Sequence, residues 1–125
     1  MTGWLFPGQA SQKVGMGLDL KENSEKARKY FEISNEIMEC DIQSIIFDGP
    51  EEKLKKTEYT QPAIYIVSAI MGYLLIDKGL KPDALAGHSL GEYSALAIGG
   101  VFDFPTGLKL VKFRSENMAE AGKKE

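Results

Sequence analysis

The sequence predicts an α/β fold built around a parallel sheet. Two short apolar runs, residues 4–6 and 84–86, each lead into a loop containing glycine, which is typical of buried strands. The stretches between and after them carry apolar residues at helical spacing, so strands alternate with helices. A stable α/β sheet normally has more than two strands, and we therefore expect this chain to form the first part of a larger domain.

Composition narrows the class of protein. The chain has 125 residues, 43% hydrophobic and 26% charged, which suits one globular core. A net charge of −3 and a pI near 5.3 give no sign of a surface for nucleic acid or anionic membranes. The one cysteine, Cys40, cannot form an internal disulfide, and the N-terminus has no basic leader, so we expect a cytoplasmic protein.

The first half of the chain predicts a strand, a polar loop and two helices. The strand at residues 4–6 ends at a proline and a glycine, and the polar loop 8–12 follows. Asn23 or Ser24 can cap a helix that reaches Met38, and Asp41 can begin a short helix that ends near Phe47. The residues that recur at helical spacing in the first of these helices are Ala27, Tyr30, Phe31, Ser34, Ile37 and Met38.

A long apolar helix is predicted next. Thr60 is a plausible N-cap, Pro62 is tolerated in a first turn, and Gly79 ends the helix after about Lys78. Its apolar part is too short to span a bilayer, so we predict a buried helix. Its apolar stripe consists of Ala63, Ile66, Val67, Ile70, Met71, Leu74 and Leu75. We expect part of that stripe to lack covering in this chain and to leave an apolar patch.

The C-terminal third predicts a strand and two helices. The strand at residues 84–86 runs into a glycine-flanked turn and a helix through Ile98. The glycines at 99–100 break that helix, and Asp103 can cap a last one that reaches about Ala121.

The turn at residues 87–91, with the sequence GHSLG, is the sharpest chemical signal. A G-x-S-x-G turn between a strand and a helix exposes a serine hydroxyl at the edge of a sheet, where Ser89 could act as a nucleophile. The N–H of Leu90 would then point at the developing oxyanion, which the helix N-terminus also favours. The alternative is an ordinary glycine-rich turn.

His88 is the sole histidine, yet its position opposes a role as the base for Ser89. Adjacent residues at a strand end point to opposite sides, whereas a general base must lie within about 3 Å of the hydroxyl. We predict that His88 packs and forms hydrogen bonds beneath the turn. The sequence therefore supplies no base at a plausible position.

Arg114 lies on the border of the apolar face of the last helix, three residues after Val111. A guanidinium there must reach an anion or solvent, and a carboxylate ligand held by two hydrogen bonds would satisfy it. Spacing alone favours an Arg that reaches solvent or pairs with a Glu. Gln9 and Gln61 are weaker candidates for site residues. Gln9 follows the end of a strand, where α/β proteins bind ligands, and Gln61 lies at the start of a helix. No metal-ligand cluster or phosphate-binding loop occurs, so we predict no metal site.

Four segments together resemble the malonyl-CoA:acyl carrier protein transacylase family. They are FPGQASQ at 6–12 with GMG at 15–17, TQPA at 60–63, GHSLGEY at 87–93, and Arg114. The sequence departs from the family at Ala10, where glycine is usual and where alanine resists a positive φ.

The resemblance implies a role for each candidate residue. Ser89 would be the nucleophile, Arg114 would bind the malonyl carboxylate, and Gln9 with the N–H of Leu90 would line the oxyanion hole. Gln61 and His88 are expected near the site.

The resemblance also implies the fold and the activity. Residues 1–125 would be an incomplete N-terminal portion of the acyltransferase domain, from its α/β-hydrolase-like large subdomain. The ferredoxin-like small subdomain and the family's catalytic histidine would both be absent from this chain. The activity would be malonyl transfer from coenzyme A to acyl carrier protein in fatty acid biosynthesis. It would need no cofactor, because the coenzyme A thioester is the substrate.

The partners would be malonyl-CoA, acyl carrier protein and the remainder of the enzyme. Without a base, we expect the 125-residue chain alone to be inactive. The alternatives are a serine esterase and a non-catalytic fragment or subunit of an acyltransferase.

Overall fold

A computed structural model of the protein describes residues 2–123. Two strands and seven helices follow one another within them. They are β1 (Gly3–Phe6), α1 (Leu18–Asn23), α2 (Glu25–Met38), α3 (Ile42–Asp48), α4 (Glu51–Leu54), α5 (Thr57–Asp77), β2 (Ala84–Gly87), α6 (Gly91–Ile98) and α7 (Phe104–Lys123). The predicted α/β class is confirmed.

The two strands form one parallel pair, with Gly3 opposite Ala84 and Phe6 opposite Gly87. The N–H of His88 continues the ladder by donating to the Phe6 carbonyl at 3.2 Å. Parallel strands end at the same edge of a sheet, so the loops that follow Phe6 and Gly87 lie side by side. That edge carries the candidate site.

The core surrounds α5, which packs against α2, α6 and α7. Tyr65 is fully buried, donates its hydroxyl to the Phe104 carbonyl at 3.0 Å and stacks on the Phe104 ring. Burial, which disfavours the phenolate, raises the pKa of Tyr65 far above its ordinary value. Helix α5 is long and apolar enough to cross a membrane, but most of it is buried by the rest of the chain. The prediction of a buried helix is confirmed.

Helix α5 begins at Thr57 and its N-cap is Lys56, four residues before the predicted N-cap Thr60. Thr60 is fully buried inside the helix, and its hydroxyl donates to the carbonyl of Leu54 at the end of α4. That hydroxyl therefore joins two helices instead of capping one. Pro62 consequently lies in the second turn, where its missing N–H removes a helical hydrogen bond.

The other predicted caps form, and two short helices were not predicted. The Ser24 hydroxyl accepts from the N–H of Ala27 at 3.1 Å, and the Asp103 carboxylate accepts from the N–H of Thr106 at 2.8 Å. Hydrogen bonding to Thr106 lowers the pKa of Asp103. Helices α1 and α4 lack a side-chain cap, which removes the sequence signal by which short helices are recognised.

One face of the sheet is open. Leu5 on β1 is 77% exposed and Met71 on α5 is 48% exposed. A groove of about 450 Å³ lies between these elements, lined by Trp4, Phe6 and Val67 among others. The expected apolar patch is therefore present, although Ala63, Ile66, Val67 and Ile70 of the predicted stripe are buried.

Candidate active site

Ser89 lies in a sharp turn between β2 and α6. Its φ is +54°, a left-handed value that few residues other than glycine adopt and that often marks functional sites. The two flanking glycines allow the backbone segments around this turn to approach each other closely. A Cβ on Gly87 would lie 2.0 Å from the carbonyl carbon of Gly91, and a Cβ on Gly91 would lie 2.2 Å from the Phe6 oxygen. The turn thus presents an exposed serine hydroxyl above the sheet edge.

Leu90 is the N-cap residue of α6 and its side chain is buried. The next three N–H groups donate to the carbonyls of residues 88–90, at 3.0 Å each. Among residues 2–123, the N–H of Leu90 itself has no acceptor. A free N–H beside the hydroxyl, at a helix N-terminus, is suited to stabilising an oxyanion.

The guanidinium of Arg114 reaches Ser89 from α7. Its Nη2 donates to the Ser89 Oγ at 3.2 Å and its Nη1 donates to the Gln61 Oε1. The Tyr93 ring lies 5.7 Å from the guanidinium carbon, within cation–π range. The ion pairs found in residues 2–123 involve Lys26 and Lys112 but not Arg114. The salt bridge with a Glu, which spacing favoured, is therefore not formed in this part of the chain.

Gln61 is fully buried and links Arg114 to the start of α5. Its Nε2 donates to the Thr57 Oγ1 at 2.7 Å and also contacts the Met118 sulfur at 3.2 Å. Thr57 in turn donates to the Gln9 Oε1 at 3.1 Å. One hydrogen-bonded series therefore joins Gln9, Thr57, Gln61, Arg114 and Ser89.

Thr57 is the member of this series that the sequence analysis missed. It lies four residues before Gln61, a spacing that places both side chains on one face of a helix. A helix beginning at Thr60 would have excluded it. The spacing of Thr57 and Gln61 was thus visible in the sequence, but it was informative only if α5 was known to begin at Thr57.

The loop that carries Gln9 is a tight turn. The Gly8 carbonyl accepts from the Ser11 N–H at 3.4 Å and from the Ser11 hydroxyl at 2.7 Å. Ala10 is the third residue of this turn and has a φ of +87°, as a type II turn requires. The loop therefore forms despite the alanine, which adopts the conformation that glycine would favour.

His88 differs from its prediction. It is exposed, not packed beneath the turn, and in residues 2–123 its hydrogen bonds involve the backbone. The Ser89 hydroxyl has Arg114 as its side-chain partner in that range, and a guanidinium can only donate. The described residues therefore bring together Ser89, Arg114, Gln61 and Gln9, without a base for the serine. No group of residues that could hold a metal occurs among them.

Residues 3–124 match the family described as acyl transferase domain. The chain belongs to this family. It is 52% identical over 120 residues to the malonyl CoA-acyl carrier protein transacylase of Synechocystis sp., covering 96% of this chain and 40% of that protein. It is 44% identical over 123 residues to a polyketide biosynthesis malonyl CoA-acyl carrier protein transacylase of Bacillus velezensis, covering 97% of this chain and 41% of that protein.

Solved structures agree with this membership. The crystal structure of the Synechocystis transacylase superposes with a TM-score of 0.92, covering 96% of this chain and 40% of that one. A malonyl-transacylase in complex with a type II polyketide acyl carrier protein gives a TM-score of 0.90 at 40% identity, covering 96% and 39%. The chain thus spans about 40% of the length of these relatives and matches their N-terminal part. The predicted family and fold are confirmed.

Proposed function

We propose that this chain supplies the nucleophile, the oxyanion-binding groups and the carboxylate-binding residue of a malonyl-CoA:acyl carrier protein transacylase. Ser89 is the nucleophile, Arg114 binds the free carboxylate, and Gln9 with the N–H of Leu90 holds the oxyanion. The proposed setting is fatty acid biosynthesis in the cytoplasm. Relatives with 52% and 44% identity that are named for malonyl transfer support the substrate.

One observation carries the proposal: Arg114 contacts the Ser89 hydroxyl but has a neutral amide, Gln61, as its other partner. A half-buried cation without an anion is unfavourable unless a ligand provides one. The carboxylate of a malonyl group is separated from its thioester carbonyl by one methylene. A carboxylate bound to Arg114 would therefore hold that carbonyl beside the Ser89 oxygen.

The reaction follows from these positions. The Ser89 oxygen adds to the thioester carbonyl while its proton passes to a base, and the oxyanion receives hydrogen bonds from Leu90 and Gln9. The C–S bond then breaks and the thiol of coenzyme A leaves with a proton. The phosphopantetheine thiol of acyl carrier protein reverses these steps and takes the malonyl group. The thioester is itself the substrate, so the proposal includes no cofactor.

We propose that the base comes from outside these 125 residues, because no side chain within residues 2–123 accepts a hydrogen bond from the Ser89 hydroxyl. The one histidine, His88, is adjacent to Ser89, and within residues 2–123 its hydrogen bonds are to backbone groups and not to the Ser89 hydroxyl. General-base assistance contributes roughly 10²–10⁴-fold. We therefore propose that the chain alone does not transfer malonyl groups and that the remainder of the enzyme is its partner. A non-catalytic subunit is the second candidate, and the missing base favours it.

The test uses a chimera in which residues 1–125 are followed by the C-terminal part of the Synechocystis relative. Arg114→Ala should reduce malonyl transfer by roughly 30- to 150-fold, equivalent to about 2–3 kcal/mol for a lost charge-assisted contact. Acetyl transfer should fall far less, because acetyl has no carboxylate. Rates with malonyl-CoA and acetyl-CoA measure this selectivity.

Two control variants accompany the Arg114→Ala experiment. Lys109→Ala removes an exposed cation from the same helix and should change neither rate. Ser89→Ala should abolish the malonyl adduct on the peptide that contains residue 89. Equal losses of malonyl and acetyl transfer in Arg114→Ala would identify a structural arginine, and simple ester hydrolysis without thioester transfer would identify an esterase.

A further inference from the structure

The ring of Tyr93 lies against the arginine of the candidate site. Its centroid is 5.7 Å from the guanidinium carbon of Arg114, within the range of a cation–π interaction. Tyr93 is half-buried and belongs to none of the aromatic pairs found in residues 2–123, which involve Tyr30, Phe31, Phe47, Tyr65, Tyr73 and Phe104. Within that range, the interaction of its aromatic face is therefore with a cation and not with another ring.

The backbone fixes Tyr93 relative to Ser89. Tyr93 lies four residues after Ser89, in the first turn of α6, and its N–H donates to the Leu90 carbonyl at 3.0 Å. The N–H of Glu92 donates to the Ser89 carbonyl, also at 3.0 Å. One helical turn therefore carries both the candidate nucleophile and the ring, whereas Arg114 reaches them from α7, which packs against α6.

An aromatic partner holds Arg114 without using up its donors. A guanidinium has five N–H donors, and within residues 2–123 Arg114 donates to the Gln61 amide oxygen and to the Ser89 hydroxyl. The face of a ring attracts the positive charge through its quadrupole and does not neutralise it. A carboxylate in the position of Tyr93 would instead form an ion pair with the arginine and compete with an anionic ligand.

We infer that Tyr93 is a positioning residue, which holds the Arg114 guanidinium beside Ser89 and leaves its charge and donors for the carboxylate of the acyl group. Gln61 anchors the guanidinium from α5, and Tyr93 restrains it from α6. Without the ring, the long arginine side chain would gain rotamer freedom that carboxylate binding would have to remove. The inference rests on the proposed function and assigns Tyr93 a share in the preference for malonyl over acetyl groups.

The main experiment measures kcat/KM for malonyl-CoA and acetyl-CoA in the chimera with Tyr93→Leu, which removes the ring but keeps an apolar side chain. Malonyl transfer should fall about three- to tenfold, as expected for the loss of one partly buried cation–π interaction. Acetyl transfer should fall much less, because acetyl has no carboxylate for Arg114 to bind. Tyr93→Phe keeps the ring and should retain the malonyl preference.

Phe47→Leu is the matched control, because Phe47 is also half-buried and its ring centroid lies 5.1 Å from the Lys21 Nζ. Phe47 packs on Phe31 in the core, so its loss should lower stability and leave the malonyl-to-acetyl ratio unchanged. In an Arg114→Ala background, Tyr93→Leu should not lower this ratio further, because the group that it positions is gone. An unchanged ratio in Tyr93→Leu, or a further fall in the Arg114→Ala background, would overturn the inference.

A readout without catalysis separates this inference from the proposed function. Nitrogen relaxation measured by NMR on the 125-residue chain should give a lower order parameter for the Arg114 Nε–H in Tyr93→Leu than in Tyr93→Phe or the unmodified chain. If Arg114→Ala lowers malonyl and acetyl transfer equally, the proposed function fails, while this loss of order still supports the positioning role. An unchanged order parameter in Tyr93→Leu would contradict the inference.

Discussion

The helical layer and the sheet differ in how completely this chain covers them. In the helical layer, Ile66, Ile70 and Leu108 have no exposed surface. In the sheet, Phe6 alone among the strand residues is buried, and Leu5 is 77% exposed. The centre of the helical layer is therefore closed within residues 2–123, whereas most strand residues stay partly or fully exposed. The candidate site joins the two, since Ser89 and Gln9 follow strands while Arg114, Gln61 and Thr57 lie on helices.

The largest effect is expected when a leucine of the helical core is compared with a leucine of the sheet in the 125-residue chain. Leu108→Ala should lower the free energy of unfolding by about 3 kcal/mol, because it opens a cavity in a closed core. Leu5→Ala removes the same atoms from an exposed position and should change it by less than about 0.5 kcal/mol. Urea unfolding of both variants measures the difference. Similar losses would show that the sheet is as well covered as the helical layer.

A smaller effect concerns the loop on the sheet side of the site. Ala10→Gly should raise the free energy of unfolding by about 0.5 kcal/mol, since relief of about 1 kcal/mol of left-handed strain is partly offset by a more flexible unfolded chain. Ala119→Gly, in helix α7, should have the opposite sign and lower stability by about 1 kcal/mol. The same unfolding measurement applies to both. A destabilised Ala10→Gly would mean that Ala10 bears no strain.

Much of the fold could be predicted from local signals. Both strands are short apolar runs that lead into glycine-containing loops, and α2 and α7 follow the recognisable caps Ser24 and Asp103. The start of α5 could not be predicted, because the Thr60 hydroxyl that resembles a cap bonds the end of α4. Whether a hydroxyl caps its own helix or joins another depends on packing, which spacing does not record.

The candidate site, like the fold, could be predicted only in part. The position of Ser89 followed from a motif within five residues, and the structure places it on the expected turn with a positive φ. The partners of Arg114 could not be predicted, because Gln61 is 53 residues distant and spacing alone favoured solvent or a Glu. Thr57 and Gln9, 48 residues apart, were missed as a pair for the same reason.

Our central proposal is that this chain supplies the nucleophile and the anion-binding arginine, whereas the base comes from the rest of the enzyme. Intact-mass spectrometry after incubation with malonyl-CoA tests it most directly, with the isolated chain and the chimera measured side by side. The account predicts one malonyl group on the chimera, mapped to the peptide containing Ser89, and an unmodified isolated chain over the same time. Rapid, stoichiometric malonylation of Ser89 in the isolated 125-residue chain would contradict it, because a base would then exist within these residues.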